Sequence, residues 1–270
     1  MSNRCIYKPK GAAKEYGAWA CNLYNGCSHH CDYCYCKRGV WANTMGVDKP
    51  ELKAMLGKDE NEAYLIFARE LKQHRDKILA ADDGLFFSFS TDPMLREEID
   101  LTMRCVQECV IEMVPVQILT KATWWAFCGN TMDGDYLRRL VAWNNYVTIG
   151  VTLTGHDELE TDAPTNKERI DLLSRLHTLH IPTFVSLEPV VDFESSLKMI
   201  LDTLHYNTEY RIGLMSPMKK DYYDHSKCER FIHKVTELSH EYGFVVKWKQ
   251  SIRKLYEVGL PLLKLTDGKK

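Results

Sequence analysis

The sequence predicts an α/β protein: a parallel sheet with helices packed outside it, either open or closed into a barrel. Short apolar runs of strand type alternate with longer segments of helical period, the signature of a βα-repeating chain. At 270 residues the chain matches the size of one α/β barrel unit. Its 45% apolar and 27% charged composition is that of a protein with a full core.

In chain order the strand-type runs are Trp19 to Tyr24, Leu85 to Phe89, Val116 to Thr120, Val147 to Leu153, Thr183 to Leu187 and Arg211 to Met215. Helical periodicity marks Glu62 to Leu79, Met94 to Met113, Asn166 to His180, Glu194 to His205 and Ser226 to Tyr242. Right-handed crossovers curl such a chain into a parallel sheet, and ligands then gather at the carboxyl ends of its strands. Phe244 to Trp248 adds a candidate terminal strand. No Gly/Ser linker, low-complexity tract or short repeat interrupts the pattern. Residues 1–270 therefore read as one domain, with a core of about 15–250 and short extensions at each end.

A formal net charge of -2 provides no global basic field for nucleic acid. Locally, Lys247, Lys249, Arg253, Lys254, Lys264, Lys269 and Lys270 face only Glu257 and Asp267, and this stretch reads as a solvated basic tail. No apolar run approaches the roughly 18 residues of a membrane span, and the opening Met1 to Cys5 lacks a signal-peptide stretch. The expected location is the cytoplasm, without membrane association.

Ten cysteines in a reducing compartment point to metal binding or burial rather than a disulfide framework. Cys27, Cys31, Cys34 and Cys36 are clustered directly after the first strand, with C-x3-C-x2-C spacing across the first three. Three thiolates on one short loop can ligate three irons of a cubane cluster and leave the fourth iron open. Gly26 lets the backbone turn tightly where a side chain would crowd the site. The alternative is zinc, with Cys36, His29 or His30 as fourth ligand. That reading gives a zinc-stabilised nucleic-acid-binding module using the basic tail and Trp124, Trp125 and Trp248. Cys36 reads as a bystander, His29 and His30 as solvent-exposed loop residues, and Cys105 and Cys109 as core-packed thiols.

Thr152 and Thr154 share one face of the fourth strand, and Ser186 and Glu188 share one face of the fifth. In a barrel that face is the interior, where a carboxylate needs a partner. Lys121, at the end of the third strand, is one candidate for Glu188.

With Tyr33 before its third cysteine, the motif is C-x3-C-x-aromatic-C after the first strand of a six-strand βα chain, and it resembles the radical S-adenosylmethionine (SAM) superfamily. Ser90-Thr91-Asp92-Pro93, Leu119-Thr120-Lys121, Glu160 through Arg169 and Tyr35 resemble its spore photoproduct lyase-like branch. Ser186-Leu187-Glu188-Pro189 and Lys247 to Gln250 resemble a set of uncharacterised, often phage-associated relatives. The resemblance implies a partial (β/α)6 TIM-like barrel and a [4Fe-4S] cluster held by Cys27, Cys31 and Cys34. It further implies a lyase or oxidoreductase that cleaves SAM reductively to a 5'-deoxyadenosyl radical, which abstracts hydrogen from an unknown substrate, nucleic acid being the leading candidate. A flavodoxin- or ferredoxin-type protein would donate the electron.

Cofactor contacts expected from this resemblance are Tyr33 and Tyr35 beside the cysteines, Ser90, Thr91 and Asp92 as acceptors for the SAM ammonium, and Arg169 as partner of its carboxylate. Lys121, Thr152, Ser186 and Glu188 complete the set. Helix capping is the alternative role for Ser90, Thr91 and Asp92, with Pro93 in the first turn. A surface pair with Glu168 or Asp171 is the alternative for Arg169. In spore photoproduct lyase a cysteine between the cluster loop and the end of the second strand returns a hydrogen atom to the product radical. This sequence has none from Lys37 through Arg104, so repair of that lesion is not expected.

Overall fold

Alternating side chains divide each strand between a helix-covered face and an enclosed one. Along Val147–Thr152, Val147, Ile149 and Val151 join the main apolar core, while Thr148, Gly150 and Thr152 point the opposite way. The computed structural model describes residues 5–39, 42–127, 134–216 and 222–259. Cys128 and the tail residues Lys264, Asp267, Lys269 and Lys270 lie outside them.

The strands are β1 (Ile6–Tyr7), β2 (Trp19–Cys21), β3 (Tyr24–Asn25), β4 (Glu51–Leu52), β5 (Leu85–Phe87), β6 (Val116–Thr120), β7 (Val147–Thr152), β8 (Thr183–Val190), β9 (Glu209–Leu214) and β10 (Val245–Trp248). The helices are α1 (Ala42–Met45), α2 (Glu60–Leu79), α3 (Ile99–Ile111), α4 (Trp124–Phe127), α5 (Gly134–Ala142), α6 (Asn166–Thr178), α7 (Phe193–Thr203), α8 (His225–Tyr242) and α9 (Gln250–Gly259). One sheet runs β1-β2-β5-β6-β7-β8-β9-β10. Every pairing in it is parallel except β1 on β2. The six expected strands are its centre, and the terminal strand joins as β10. β1 and α9 carry regular structure beyond the expected core of 15–250.

The sheet curls. Arg211 on β9 donates to Gln117 Oε1 on β6 at 2.6 Å, although β7 and β8 lie between them in the sheet. Ala20 on β2, Phe86 on β5 and Phe184 on β8 form a small apolar cluster of their own, separate from the main core. Only a concave inner face brings such distant strands together. Among the described residues the sheet ends at β1 and β10 without closing, giving a partial barrel.

Gly150 is part of this filling: a Cβ there would lie 2.1 Å from Phe184 Cζ. We expect Gly150→Ala to cost about 1–3 kcal/mol by overpacking, read as a lower urea midpoint with unchanged slope. An unchanged midpoint would mean that the ring has room to move.

Helix starts follow local side-chain chemistry. Asp59 caps α2 by accepting from the amides of Asn61 and Glu62, and Thr165 and Glu168 form a capping box on α6. Asp224 opens α8, and Gly243 ends it at φ 75.

Two boundaries and one solvation expectation differ for physical reasons. The first strand breaks after Cys21, because Asn22 Oδ1 accepts from the Phe89 amide at 2.8 Å and from Ser88 Oγ at 3.2 Å. The chain then re-forms as β3, which pairs with β4 instead. The helix expected from Met94 begins at Ile99, since turns anchored on Asp92 occupy the preceding residues. The basic tail is not uniformly solvated: Lys249 is buried, and Lys247 pairs with Glu209 at 3.1 Å.

Candidate functional site

A cavity of about 450 Å³ opens at the carboxyl ends of the strands. Cys27, Cys31 and Cys34 line it together with Tyr33, Tyr35, Ser90, Thr91, Asp92, Lys121, Thr152 and Glu188. Of the expected site residues, Ser186 and Arg169 are set back from its wall.

Short contacts to several parts of the fold fix the cysteine loop. Gly26 adopts φ 89, and a Cβ there would meet Lys49 O at 2.3 Å, so the position requires glycine. Its amide donates to Ser90 O at 3.1 Å, Cys27 N donates to Val47 O at 3.1 Å, and Asp32 N donates to Leu159 O at 2.9 Å. Burial pushes the Cys27 thiol up to about 12 and raises Cys31. Hydrogen bonding from Cys36 brings Cys34 down to about 6. The thiols of Cys27, Cys31 and Cys34 are free and face one cavity, a donor set that fits three-cysteine ligation of an iron–sulfur cluster.

His29, expected in solvent, is buried and bonds Asp92 Oδ2 through Nε2 at 2.8 Å. The Asp92 carboxylate also accepts from Thr120 Oγ1 at 2.7 Å, from the amides of Lys121 at 2.7 Å and Ala122 at 3.3 Å, and from Met94 N at 3.0 Å. Burial works against its ionisation, yet the His29 bond and charge, helped by these donors, hold it at about 2. Asp92 thus ties the cysteine loop to the ends of β5 and β6, and protein donors already engage both of its oxygens. Nearby, Ser90 Oγ donates to Tyr24 O at 2.5 Å, and the Thr91 hydroxyl donates to Glu98. His30 is half-buried and bonds Asp162 at 2.5 Å.

A second anchor centres on Glu160, whose side chain is wholly buried. Tyr33 and Arg169 donate to its carboxylate, Thr154 Oγ1 donates at 3.0 Å, and Lys121 Nζ lies 3.7 Å away. Lys121 and Arg169 overcome the burial penalty and keep this carboxylate below its usual range. Arg169 is equally buried and donates to Thr152 O at 2.7 Å. It pairs neither with Glu168, which completes the α6 cap, nor with Asp171, which pairs with Lys167 at 2.9 Å. Lys121 takes Glu160 as partner instead of Glu188; Glu188 is met by Lys249 at 3.7 Å and by the Tyr16 hydroxyl at 2.5 Å.

His29, Glu160, Tyr16 and Lys249 are the residues that sequence reasoning did not assign to the site. Glu160 lay within a segment already marked by resemblance. His29 had its position between two motif cysteines, Lys249 lay within the Lys247 to Gln250 segment marked by resemblance without a role assigned, and Tyr16 had no signal.

The solved structure of SuiB from Streptococcus suis bound to S-adenosylmethionine is similar, with a TM-score of 0.58 at 13% identity, over 92% of this chain and 53% of that one. SuiB bound to precursor peptide SuiA gives 0.56 at 13% identity, over 85% and 47%. Spore photoproduct lyase complexed with dinucleoside spore photoproduct gives 0.53 at 11% identity, over 87% and 76%. The chain spans about half the length of the SuiB chains, and at these identities the likeness is one of fold. No curated protein matches the chain in sequence. The family model described as the Radical SAM superfamily matches residues 21–206, the stretch that carries the cysteine loop, Asp92, Lys121, Glu160 and Glu188, and the chain belongs to that superfamily.

Proposed function

We propose that this chain is a radical SAM enzyme in which Cys27, Cys31 and Cys34 hold a [4Fe-4S] cluster. The observation that carries this reading is that these three thiols face the cavity at the carboxyl ends of a partial barrel. Bound there, cluster and SAM would supply the 5'-deoxyadenosyl radical chemistry of the family.

The chain's own groups bind and orient. His29 and Asp92 hold the cysteine loop in place, and Glu160 with Arg169 steadies the segment against which that loop docks. Lys121 offers an ammonium on the wall for a carboxylate, while Thr152 and Glu188 offer polar atoms for hydroxyl or amino groups. Tyr35, Tyr16 and Phe89 add aromatic rings to the cavity wall, those of Tyr16 and Phe89 packed edge to face.

We propose a single domain acting in the cytoplasm, where thiols stay reduced, served by a flavodoxin- or ferredoxin-type electron donor. No helix among the described residues is long and apolar enough to cross a membrane. For the substrate we propose nucleic acid; the motif resemblance to the spore photoproduct lyase-like branch supports this.

Anaerobic reconstitution should give brown protein with about four irons per chain. With dithionite and SAM it should release 5'-deoxyadenosine, detected by chromatography, and without reductant it should not. Colourless, zinc-loaded protein that leaves SAM intact would sink the proposal.

A further inference from the structure

Away from the cysteine loop, the cavity meets a polar group enclosed by apolar walls. Glu188 reaches it from β8 and Tyr16 from the segment before β2, and the Tyr16 ring packs on Phe86 at 5.0 Å and Phe89 at 5.9 Å. The Tyr16 hydroxyl donates to Glu188 Oε2 at 2.5 Å, so the Ser186 hydroxyl, 2.8 Å away, donates to Tyr16.

Lys249 stands behind this pair, 2% exposed. Its Nζ lies 3.7 Å from Glu188 Oε2 and 3.1 Å from the Tyr16 ring centroid, and finds no hydrogen-bond acceptor among the described residues. Burial pushes this amine down to about 8, against the pull of Glu188 and Glu15 and with a further push from Arg211. An ammonium is costly in such a place unless it offsets a charge that the site needs.

The backbone opposite is bare to admit the pair. A Cβ on Gly213 would lie 2.8 Å from Glu188 Oε1 and 2.9 Å from Lys249 Cγ. Tyr16 and Lys249 therefore engage Oε2, while no donor among the described residues bonds Oε1.

We infer that Glu188 is a ligand-binding acceptor at the floor of the cavity, that Tyr16 and Lys249 are its positioning residues, and that the ligand end it fits carries a hydroxyl or amino hydrogen. The inference deepens the proposed function by naming what the substrate presents there. A carboxylate or phosphate at that end meets the Glu188 charge first, because the Lys249 ammonium is screened behind it. A neutral or cationic donor completes the unfilled oxygen.

The test uses the full chain labelled with 13C at its methionine methyls, as isolated and after anaerobic iron loading, with ethanolamine as donor probe and acetate as an anion of similar size that carries no hydroxyl or amino hydrogen. Met215 and Met45 both line the cavity, Met215 beside Leu214 at the end of β9 and Met45 in the segment against the cysteine loop. Ethanolamine should shift Met215 saturably and leave Met45 in place, and acetate should leave Met215 unshifted. Glu188→Gln should weaken ethanolamine at least fivefold, and so should Tyr16→Phe and Lys249→Met, with Lys249→Arg restoring most of the loss. Equal response to both probes, or undiminished binding in Glu188→Gln, overturns the inference. Binding unchanged in Tyr16→Phe and in Lys249→Met would make those residues structural only and overturn their assignment. If Lys249→Met fails to fold, Tyr16→Phe, which removes a single hydroxyl, and Lys249→Arg still decide. The radical reading is judged separately by iron content and 5'-deoxyadenosine, so either can fail alone.

Discussion

Replacing Cys27, Cys31 or Cys34 with alanine should each reduce bound iron after anaerobic reconstitution to background and abolish 5'-deoxyadenosine formation. Each residue is proposed to supply one of three thiolates, and two thiolates cannot fill the three iron positions of the cubane. Cys36→Ala should instead keep most of its iron. The Cys36 thiol is directed to Phe89 O at 3.5 Å and to Cys34, so its removal takes away a hydrogen bond near the site rather than a ligand. Iron counted by colorimetric assay beside protein concentration checks both halves of the expectation. Full iron retention in Cys31→Ala would exclude the ligand assignment, and iron lost in Cys36→Ala would move the ligand set along the loop.

The barrel was legible because its period-two pattern places long apolar side chains against helices, as in β7, and leaves threonine, glycine and charged residues for the inside. The cysteine loop was legible because ligand spacing is local. What escaped depends on groups far apart in sequence. Nothing near Asn22 shows that its side chain will replace backbone pairing to Phe89, so the first strand read too long. Lys249 sits in a basic stretch indistinguishable by composition from a solvated tail. Only parallel pairing of β10 with β9, with Trp248 beside Ile212, carries its side chain to Glu188. Arg169 was singled out for its charge, yet Glu160 and two carbonyls already occupy its donors. Sequence reasoning finds charged residues more readily than it finds the partners that satisfy them.

Asp92→Ala should be the most destabilising single change at the site, by roughly 3–5 kcal/mol, because it strips a buried carboxylate from donors that have no solvent to turn to. His29, Thr120 and the amides of Met94, Lys121 and Ala122 would all lose their acceptor at once. Asp92→Asn keeps one acceptor oxygen but loses the charge, and should fall between the two. The same bonds fix a pH dependence. The folded protein holds Asp92 at about 2, whereas an unfolded chain has an aspartate near ~3.9. A depressed folded value means that the stabilisation is complete above about pH 4 and fades as pH falls toward 2. Urea unfolding of wild type and Asp92→Asn at several pH values below about 5 checks this: the gap between their midpoints should narrow as pH falls from about 4 toward 2. A gap that widens as pH falls from about 4 toward 2 would mean that the carboxylate is already protonated in the folded protein. Its bonds to His29 and the Lys121 amide could then not be what fastens the cysteine loop to the sheet.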